Sequence, residues 1–487
     1  MNKLTPLLKW FAPGMHVKRW VGLGFIGLMC FLLGMGIIIQ VRGSQGATMA
    51  IRIATWVIGH FDTRLHPGFI GVLFAVAGMG LCIFAFIRLI ISLTSVLDPE
   101  LAPGGLVDVI YQKRRLTQGR KIVVIGGGTG LSTMLRGLKQ YSANITAIVT
   151  VADDGGSSGK LQKQLGILPP GDIRNCLVAL ADSEPQMTQL FQYRFRNSVR
   201  PTSRDARSKS DEHTRAMASH HGGVHHTSGR LSAPPQTPPA AAVGSHNVDP
   251  RSFGEGLRDH AFGNLLIAAM CAINGGDFEK AVRETSRVLN IRGRVLPSTV
   301  DHVRLRAEME DGSFLEGETT IAHSELKIKR VSLIPGDAAP VKGAIEAIQN
   351  ADVIVIGPGS VYTSIIPNIL VQGIPEALRQ SKARKIYVCN VMTQRGETEA
   401  YSAMDHVQAI EHHARQKVFD YVLVNTGVPS QDLLEKYRHA GAVLVAPDVD
   451  RIKAAGYRPI GGDFINQTDV VRHDAVTLAV AIMRLVR

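Results

Sequence analysis

Two short runs of small residues contain what a phosphate needs. Gly126-Gly127-Gly128-Thr129-Gly130-Leu131-Ser132 follows the apolar residues 122–125 and leads into Leu131, Met134, Leu135 and Leu138 at helical spacing. A strand–glycine–helix turn leaves backbone N–H groups unpaired at the positive end of a helix, and glycine lets an anion come close to them. Gly127, Gly128, Thr129, Gly130 and Leu131 are therefore candidate contacts for a diphosphate. Leu131 holds the third position of a GxGxxG run, so the loop alone does not specify a dinucleotide.

The second run is Ala152-Asp153-Asp154-Gly155-Gly156-Ser157-Ser158-Gly159. A dinucleotide site ends its second strand with a single acid for the ribose. Two adjacent carboxylates, Asp153 and Asp154, suit instead an Mg2+ ion bridging a diphosphate, and they would be the catalytic groups if the protein is an enzyme. Three more loops add polar groups. These are residues 169–175, with Asp172 as a helix cap; Gly263-Asn264 before an apolar helix; and Gly357-Pro358-Gly359-Ser360-Val361-Tyr362-Thr363-Ser364. Gly359 and Ser360 are expected on phosphate, Gly357 and Thr363 elsewhere along the ligand, and Tyr362 either against a sugar or base or in the core. Asn264 and Asn390, the latter opening the run 390–397, are expected on hydroxyl or amide groups.

Such loops converge only if a scaffold brings them together. Apolar strands are expected at 122–125, 145–151, 353–356, 386–389, 421–424 and 442–445, separated by helical stretches such as 341–348 and 374–380. This alternation predicts an α/β fold with a doubly wound, mostly parallel, Rossmann-like sheet, in which all strand C-terminal ends line one edge. Residues 303–308 and 314–321, joined around Asp311-Gly312, predict a β-hairpin added to that sheet.

Residues 20–41 and 67–93 read as two transmembrane helices, forming with their flanks a membrane anchor over 1–96. Lys3, Lys9, Lys18 and Arg19 precede the first and Lys113, Arg114, Arg115, Arg120 and Lys121 follow the second, against Arg42, Arg52 and Arg64 between them. This bias predicts a multi-pass protein of the plasma membrane with both termini and the large domain, 121–487, in the cytoplasm. The chain carries a net charge of +13. Most of the excess falls in residues 1–121 and in 197–258, the remainder being close to neutral, so nucleic acid is not an expected partner. Residues 97–120 read as a basic linker. Residues 197–256, rich in Ser, Pro, Arg and His with Phe253 as the one aromatic, read as a disordered insertion in the large domain. The five cysteines are scattered without a CxxC pair, so neither zinc nor a disulfide framework is expected, and nothing points to haem or NAD.

The segments GGGTGLS, VADDGGSSG, PPGDIRN, FGNLLIAA, RGRVLP, IGPGSVYTSIIPN and CNVMTQRGET, in this order, resemble the gluconeogenesis-factor family (YvcK-like), relatives of the 2-phospho-L-lactate transferases (CofD-like superfamily). The resemblance covers roughly 120–196 and 255–450. It implies a Rossmann-like domain that binds a nucleotide or a UDP-sugar such as UDP-N-acetylglucosamine, and a role in cell shape and envelope growth on gluconeogenic carbon sources. The alternative it implies is a transferase moving a phospholactyl group from a nucleotide diphosphate carrier to a deazaflavin acceptor. A homodimer is compatible with either. The sequence departs from the family pattern in the insertion at 197–256, at Asp259, where Gly is common, and at Arg395.

Overall fold

Strands covered on both faces read as unbroken apolar runs, and Ile122–Gly126, Ile145–Val149 and Val353–Ile356 are buried throughout. The computed structural model describes residues 17–41, 67–97, 105–195, 257, 259–467 and 470–486. The expected insertion at 197–256 lies outside the described residues. The chain divides into two compact units, 1–114 and 115–487.

In the first unit α1 (Val17–Val41) and α2 (Pro67–Leu97) pack side by side, and both are long and apolar enough to cross a membrane. Glycines set their closeness. A Cβ on Gly27 would sit 2.8 Å from the Cys82 nitrogen, and one on Gly34 would overlap the backbone of Ala75 and Gly71. Small residues at such a seam let two backbones approach. Gly34→Leu should therefore part the helices and lower the SDS concentration at which the full chain loses helicity by circular dichroism. Gly22→Leu, where a Cβ meets nothing within 4 Å, should leave it unchanged. Equal effects would show that the seam does not hold the pair together.

The stretch read as a linker carries a helix, α3 (Gly105–Thr117), most of which belongs to the first unit. Beyond it run β1 (Ile122–Gly126), α4 (Gly128–Leu138), β2 (Ile145–Val149), α5 (Gly156–Leu165), α6 (Gly171–Leu180), α7 (Phe262–Ile273) and β3 (Arg294–Pro297). Next come β4 (Arg304–Met309), β5 (Phe314–Glu316), β6 (Ile328–Ile334), β7 (Val353–Ile356), β8 (Arg384–Val388) and β9 (Tyr421–Asn425). The chain ends with α8 (Gln431–His439), β10 (Arg458–Gly462), β11 (Ile465–Gln467), β12 (Val471–His473) and α9 (Ala475–Arg484).

Seven strands form one parallel sheet in the order β10-β9-β8-β7-β1-β2-β3. From β1 the chain winds outward through β2 to β3, then returns to place β7 on the other side of β1 and winds the opposite way. The sheet is thus doubly wound, and the loops after β1 and β7 diverge at its switch point, where ligands of open α/β sheets bind. Its outer strands β3 and β10 carry Pro297 and Pro459, a residue that a central strand cannot accommodate.

Two expectations are corrected here. The hairpin of β4 and β5 forms, but it joins β6 in a separate three-stranded antiparallel sheet instead of extending the parallel one, and residues 318–322 turn into a short helix. Alternating polarity gives that hairpin one buried face, as an antiparallel sheet needs. Residues 442–445 form no strand. Their single pairing is an isolated bridge between Leu444 and Met392, which uses an apolar run to close a loop over the sheet edge.

Candidate functional site

The loop after β1 enters α4 without a side-chain cap. Gly127 stands at the N-cap position, and the N–H groups of Thr129 and Gly130 meet no protein acceptor among the described residues. Gly128 has φ 67°, a left-handed geometry that glycine adopts without strain. The loop after β7 lies against it, since a Cβ on Gly130 would fall 2.6 Å from the Pro358 oxygen. Asn390, just past β8, holds that second loop at both ends of one residue: its Oδ1 accepts from Gly359 N (3.2 Å) and its Nδ2 donates to Gly359 O (2.9 Å). Gln394 Nε2 donates to Ser360 Oγ at 2.9 Å. Together these loops line a crevice of 470 Å3 at the switch point, with Gly127, Gly128, Thr129, Gly130, Gly359 and Ser360 on its wall.

The opposite wall comes from a part of the chain that the sequence reading did not single out. Tyr437 on α8 and Arg472 and His473 on β12 complete the crevice. Tyr437 Oη accepts from Val471 N (3.1 Å) and so ties β12 in place. The Arg472 guanidinium is exposed and has no acidic partner among the described residues. Burial pushes His473 down to about 4, leaving the ring neutral at neutral pH. Neither Tyr437 nor Arg472 stands in a glycine motif, which is why spacing alone did not reveal them. The signal within reach was Val471-Arg472-His473-Asp474, an arginine stranded between a turn and a capped helix, where Asp474 accepts from Thr477 N at 2.7 Å.

Beside this crevice lies a polar cluster under the loop after β2. Asp172 does not cap its own helix, whose N-cap is Pro170; its carboxylate reaches across to accept from the Gly128 N–H. Burial, then the charge of Asp153, push Asp172 up to about 6. Burial also raises Asp153, which accepts from Gly155 N at 2.8 Å. Asp154 is committed elsewhere, accepting from Thr319 N (2.9 Å) and Thr319 Oγ1 (2.7 Å). The two adjacent carboxylates expected to share an Mg2+ thus point to different partners, and it is Asp172 that joins Asp153. Among the described residues no group of three or more His, Cys, Asp and Glu is placed to hold a metal ion.

Asn264 is fully engaged in that cluster and is 1% exposed. Arg174 Nη1 donates to its Oδ1 (2.9 Å), and its Nδ2 donates to Ser157 Oγ (3.0 Å). Ser157 Oγ also receives the Ala261 N–H at 3.4 Å, so its hydrogen points to His260 Nδ1, 3.1 Å away. This chain of bonds fixes the loop 153–159 against α7. The residue before His260, Asp259, has φ 66°, a left-handed turn that a glycine would make without strain.

The remaining candidates sit behind the crevice wall. Leu131 is buried in the core, and Gly357 makes the turn out of β7 with φ 75°. Tyr362 is 3% exposed and shares a hydrogen bond with the Tyr401 hydroxyl at 2.8 Å, so of its two expected places it takes the core. Thr363 Oγ1 donates to Glu397 Oε1 at 3.0 Å. Burial raises Glu397 to about 7 from an ordinary 4.5, outweighing the hydrogen bonds from Thr363 and Tyr362 that lower it.

A carboxyl whose folded pKa is raised binds a proton that the unfolded chain has already released. Its contribution to stability is present below about 4.5 and is lost as pH rises through about 7. Glu318, pushed up to about 8 chiefly by burial and then by Asp153 and Asp154, has the same sign. Urea unfolding should therefore show stability falling between pH 4.5 and 7, with a slope of up to about 1.4 kcal/mol per pH unit for each such proton. Glu397→Gln should flatten it. An unchanged slope would mean that Glu397 is ionised in the folded chain.

Fold and site together define an α/β protein with two glycine loops meeting at the switch point of a parallel sheet. The family profile described as 2-phospho-L-lactate transferase CofD matches residues 122–465. The gluconeogenesis factor of Halalkalibacterium halodurans is 45% identical over 366 residues, 75% of this chain and 96% of the relative. That of Bacillus subtilis is 42% identical over 371 residues, 76% of this chain and 99% of the relative. A gluconeogenesis-factor relative from Nostoc sp. is 40% identical over 497 residues, 99% of this chain and 93% of its own length, so that likeness takes in α1 and α2. A crystal structure of a Bacillus halodurans protein superposes with a TM-score of 0.61 at 44% identity, covering 75% of this chain and 99% of that one. The chain belongs to the gluconeogenesis-factor family, with a CofD-type α/β domain.

Proposed function

We propose that this protein binds a nucleotide diphosphate sugar of the UDP class in the switch-point crevice, and that α1 and α2 hold it in the plasma membrane with the α/β unit in the cytoplasm. The observation that carries the reading is the union of uncapped glycine-loop amides with a single unpaired arginine across a 470 Å3 crevice. Backbone N–H groups at a helix N-terminus take the phosphates without a lysine or a metal, and Arg472 supplies the balancing charge. Tyr437 offers a ring and a hydroxyl to the sugar or base. A sensor of cell-wall precursors stationed at the membrane is the role this chemistry would serve, in keeping with the part in cell shape and envelope growth under gluconeogenic conditions that the sequence resemblance implies.

Calorimetry of the full chain in nanodiscs against UDP-N-acetylglucosamine, GDP and NAD tests this reading. UDP-N-acetylglucosamine should bind most tightly. Preference for NAD would sink the reading.

One observation favours phospholactyl transfer as a second reading. Asp172 bonds the glycine loop at Gly128, and burial followed by the charge of Asp153 raises its affinity for a proton, as happens to carboxylates built around a cation. With phosphate oxygens the two carboxylates would hold an Mg2+, which supplies charge neutralisation at a departing nucleotide. Preference for GDP over UDP-N-acetylglucosamine in the same titrations would favour it.

A further inference from the structure

A second cavity, of 540 Å3, lies between α5, the loop after β2 and the three-stranded sheet. Ala152, Val303 and Leu305 give it a buried aliphatic floor. Lys163, His302 and Arg304 stand around it, each exposed. A lysine in the last turn of a helix is ordinary, because it complements the helix dipole. The meeting of basic side chains from two separate segments, α5 and the run 302–304, is not, since none of them has an ion-pair or side-chain hydrogen-bond partner among the described residues. Of the two carboxylates that also line the cavity, Asp154 is committed to Thr319, and a Cβ on Gly317 would overlap its other oxygen. Glu316 and Asp154 give the lining its acidic side, and neither forms an ion pair with Lys163 or Arg304 among the described residues.

Two long cations left without ion pairs, over an apolar floor, are suited to an oxyanion with a short hydrocarbon body. We infer that this cavity is a second ligand site, separate from the glycine-loop crevice, for a small carboxylate or phosphate monoester held by Lys163 and Arg304. The volume lies within the range of small-molecule sites, roughly 300–1,000 Å3. The wall shared with Asp154 gives the site a route to the crevice. Asp154 anchors the loop 153–159 to Thr319, and the next residue back, Asp153, belongs to the cluster beside the glycine loop. A ligand that moves Asp154 changes that loop, and by linkage whatever occupies the crevice changes the affinity of this cavity by the same factor.

The test uses the full chain in nanodiscs carrying Arg472→Ala, so that phosphate at the glycine loop is weakened. Inorganic phosphate and succinate are titrated separately, followed by calorimetry and, for phosphate, by 31P line width. Saturable binding of either probe at millimolar concentration is expected, and which probe binds identifies the head group. Adding Lys163→Ala and Arg304→Ala should weaken that binding at least tenfold with no change in melting temperature, both side chains being exposed. Binding of equal strength in the added double variant, or no saturable binding of either probe, would overturn the inference. Neither result bears on nucleotide binding in the unmutated crevice, which is measured on its own.

Discussion

Arg472→Ala is expected to weaken binding of UDP-N-acetylglucosamine by roughly 10- to 100-fold, the loss of one charge-assisted pair of about 1.5–3 kcal/mol. Stability should not change. The side chain is exposed and makes no ion pair among the described residues, so the folded chain loses nothing when it is removed. Arg472→Lys should recover part of the affinity, since an ammonium keeps the charge but not the planar fork. The loss should shrink as salt is raised, because the crevice is open and its charges are screened. Calorimetry on the full chain, with melting measured in parallel, separates binding from folding. If Arg472→Ala binds as tightly as the parent, the glycine-loop amides carry the diphosphate by themselves and the arginine serves another purpose.

Gly130→Ala should do far more damage to binding than the same methyl added at Gly128. A Cβ there stands 2.6 Å from the Pro358 oxygen and 2.9 Å from its carbonyl carbon. These are backbone atoms of the neighbouring loop, so no rotamer relieves the overlap and the two loops must separate. Overpacking of this kind costs about 1–3 kcal/mol of stability, and the spread loops no longer present their amides to one ligand. Affinity should therefore fall by about 100-fold or more, the scale of a misplaced binding group. Gly128→Ala makes the contrast. Its φ of 67° imposes a backbone penalty of about 1–2 kcal/mol, but a Cβ meets only Ser364 Oγ at 3.7 Å. Stability should suffer there more than binding. Equal loss of affinity in both variants would show that strain in the first loop, not the closeness of the two loops, decides recognition.

Much of this was legible beforehand because it is local. Short apolar runs alternating with helical stretches marked β1, β2, β7, β8 and β9, and the glycine run 126–130 marked the turn between β1 and α4. The short strands β3, β6 and β10 were not legible. Arg294–Pro297 begins with an exposed arginine, and Arg458–Gly462 ends in two glycines, so neither carries the signature of a buried strand. β3 and β10 exist because the parallel sheet needs outer members, and β6 because the β4–β5 hairpin takes a third strand.

Side-chain roles divide along the same line. Residue type and motif order, by themselves, determined the fold class, the family and the positions of Gly127, Gly128, Thr129, Gly130, Gly359, Ser360 and Asn390 on one edge. They did so because strand direction in a parallel sheet fixes where every following loop must lie. Only the tertiary structure decided which of the polar side chains face the crevice. Asn264, Tyr362 and Thr363 spend their hydrogen bonds inside the protein, on Arg174, Tyr401 and Glu397. Asp172 turns away from its own helix to Gly128, and Asp153 and Asp154 part company within one peptide unit. Arg472, more than 300 residues from the glycine loop, closes the same crevice. A buried polar group must find a partner wherever one is available, and which partner is nearest depends on how distant segments pack, which no window of sequence contains.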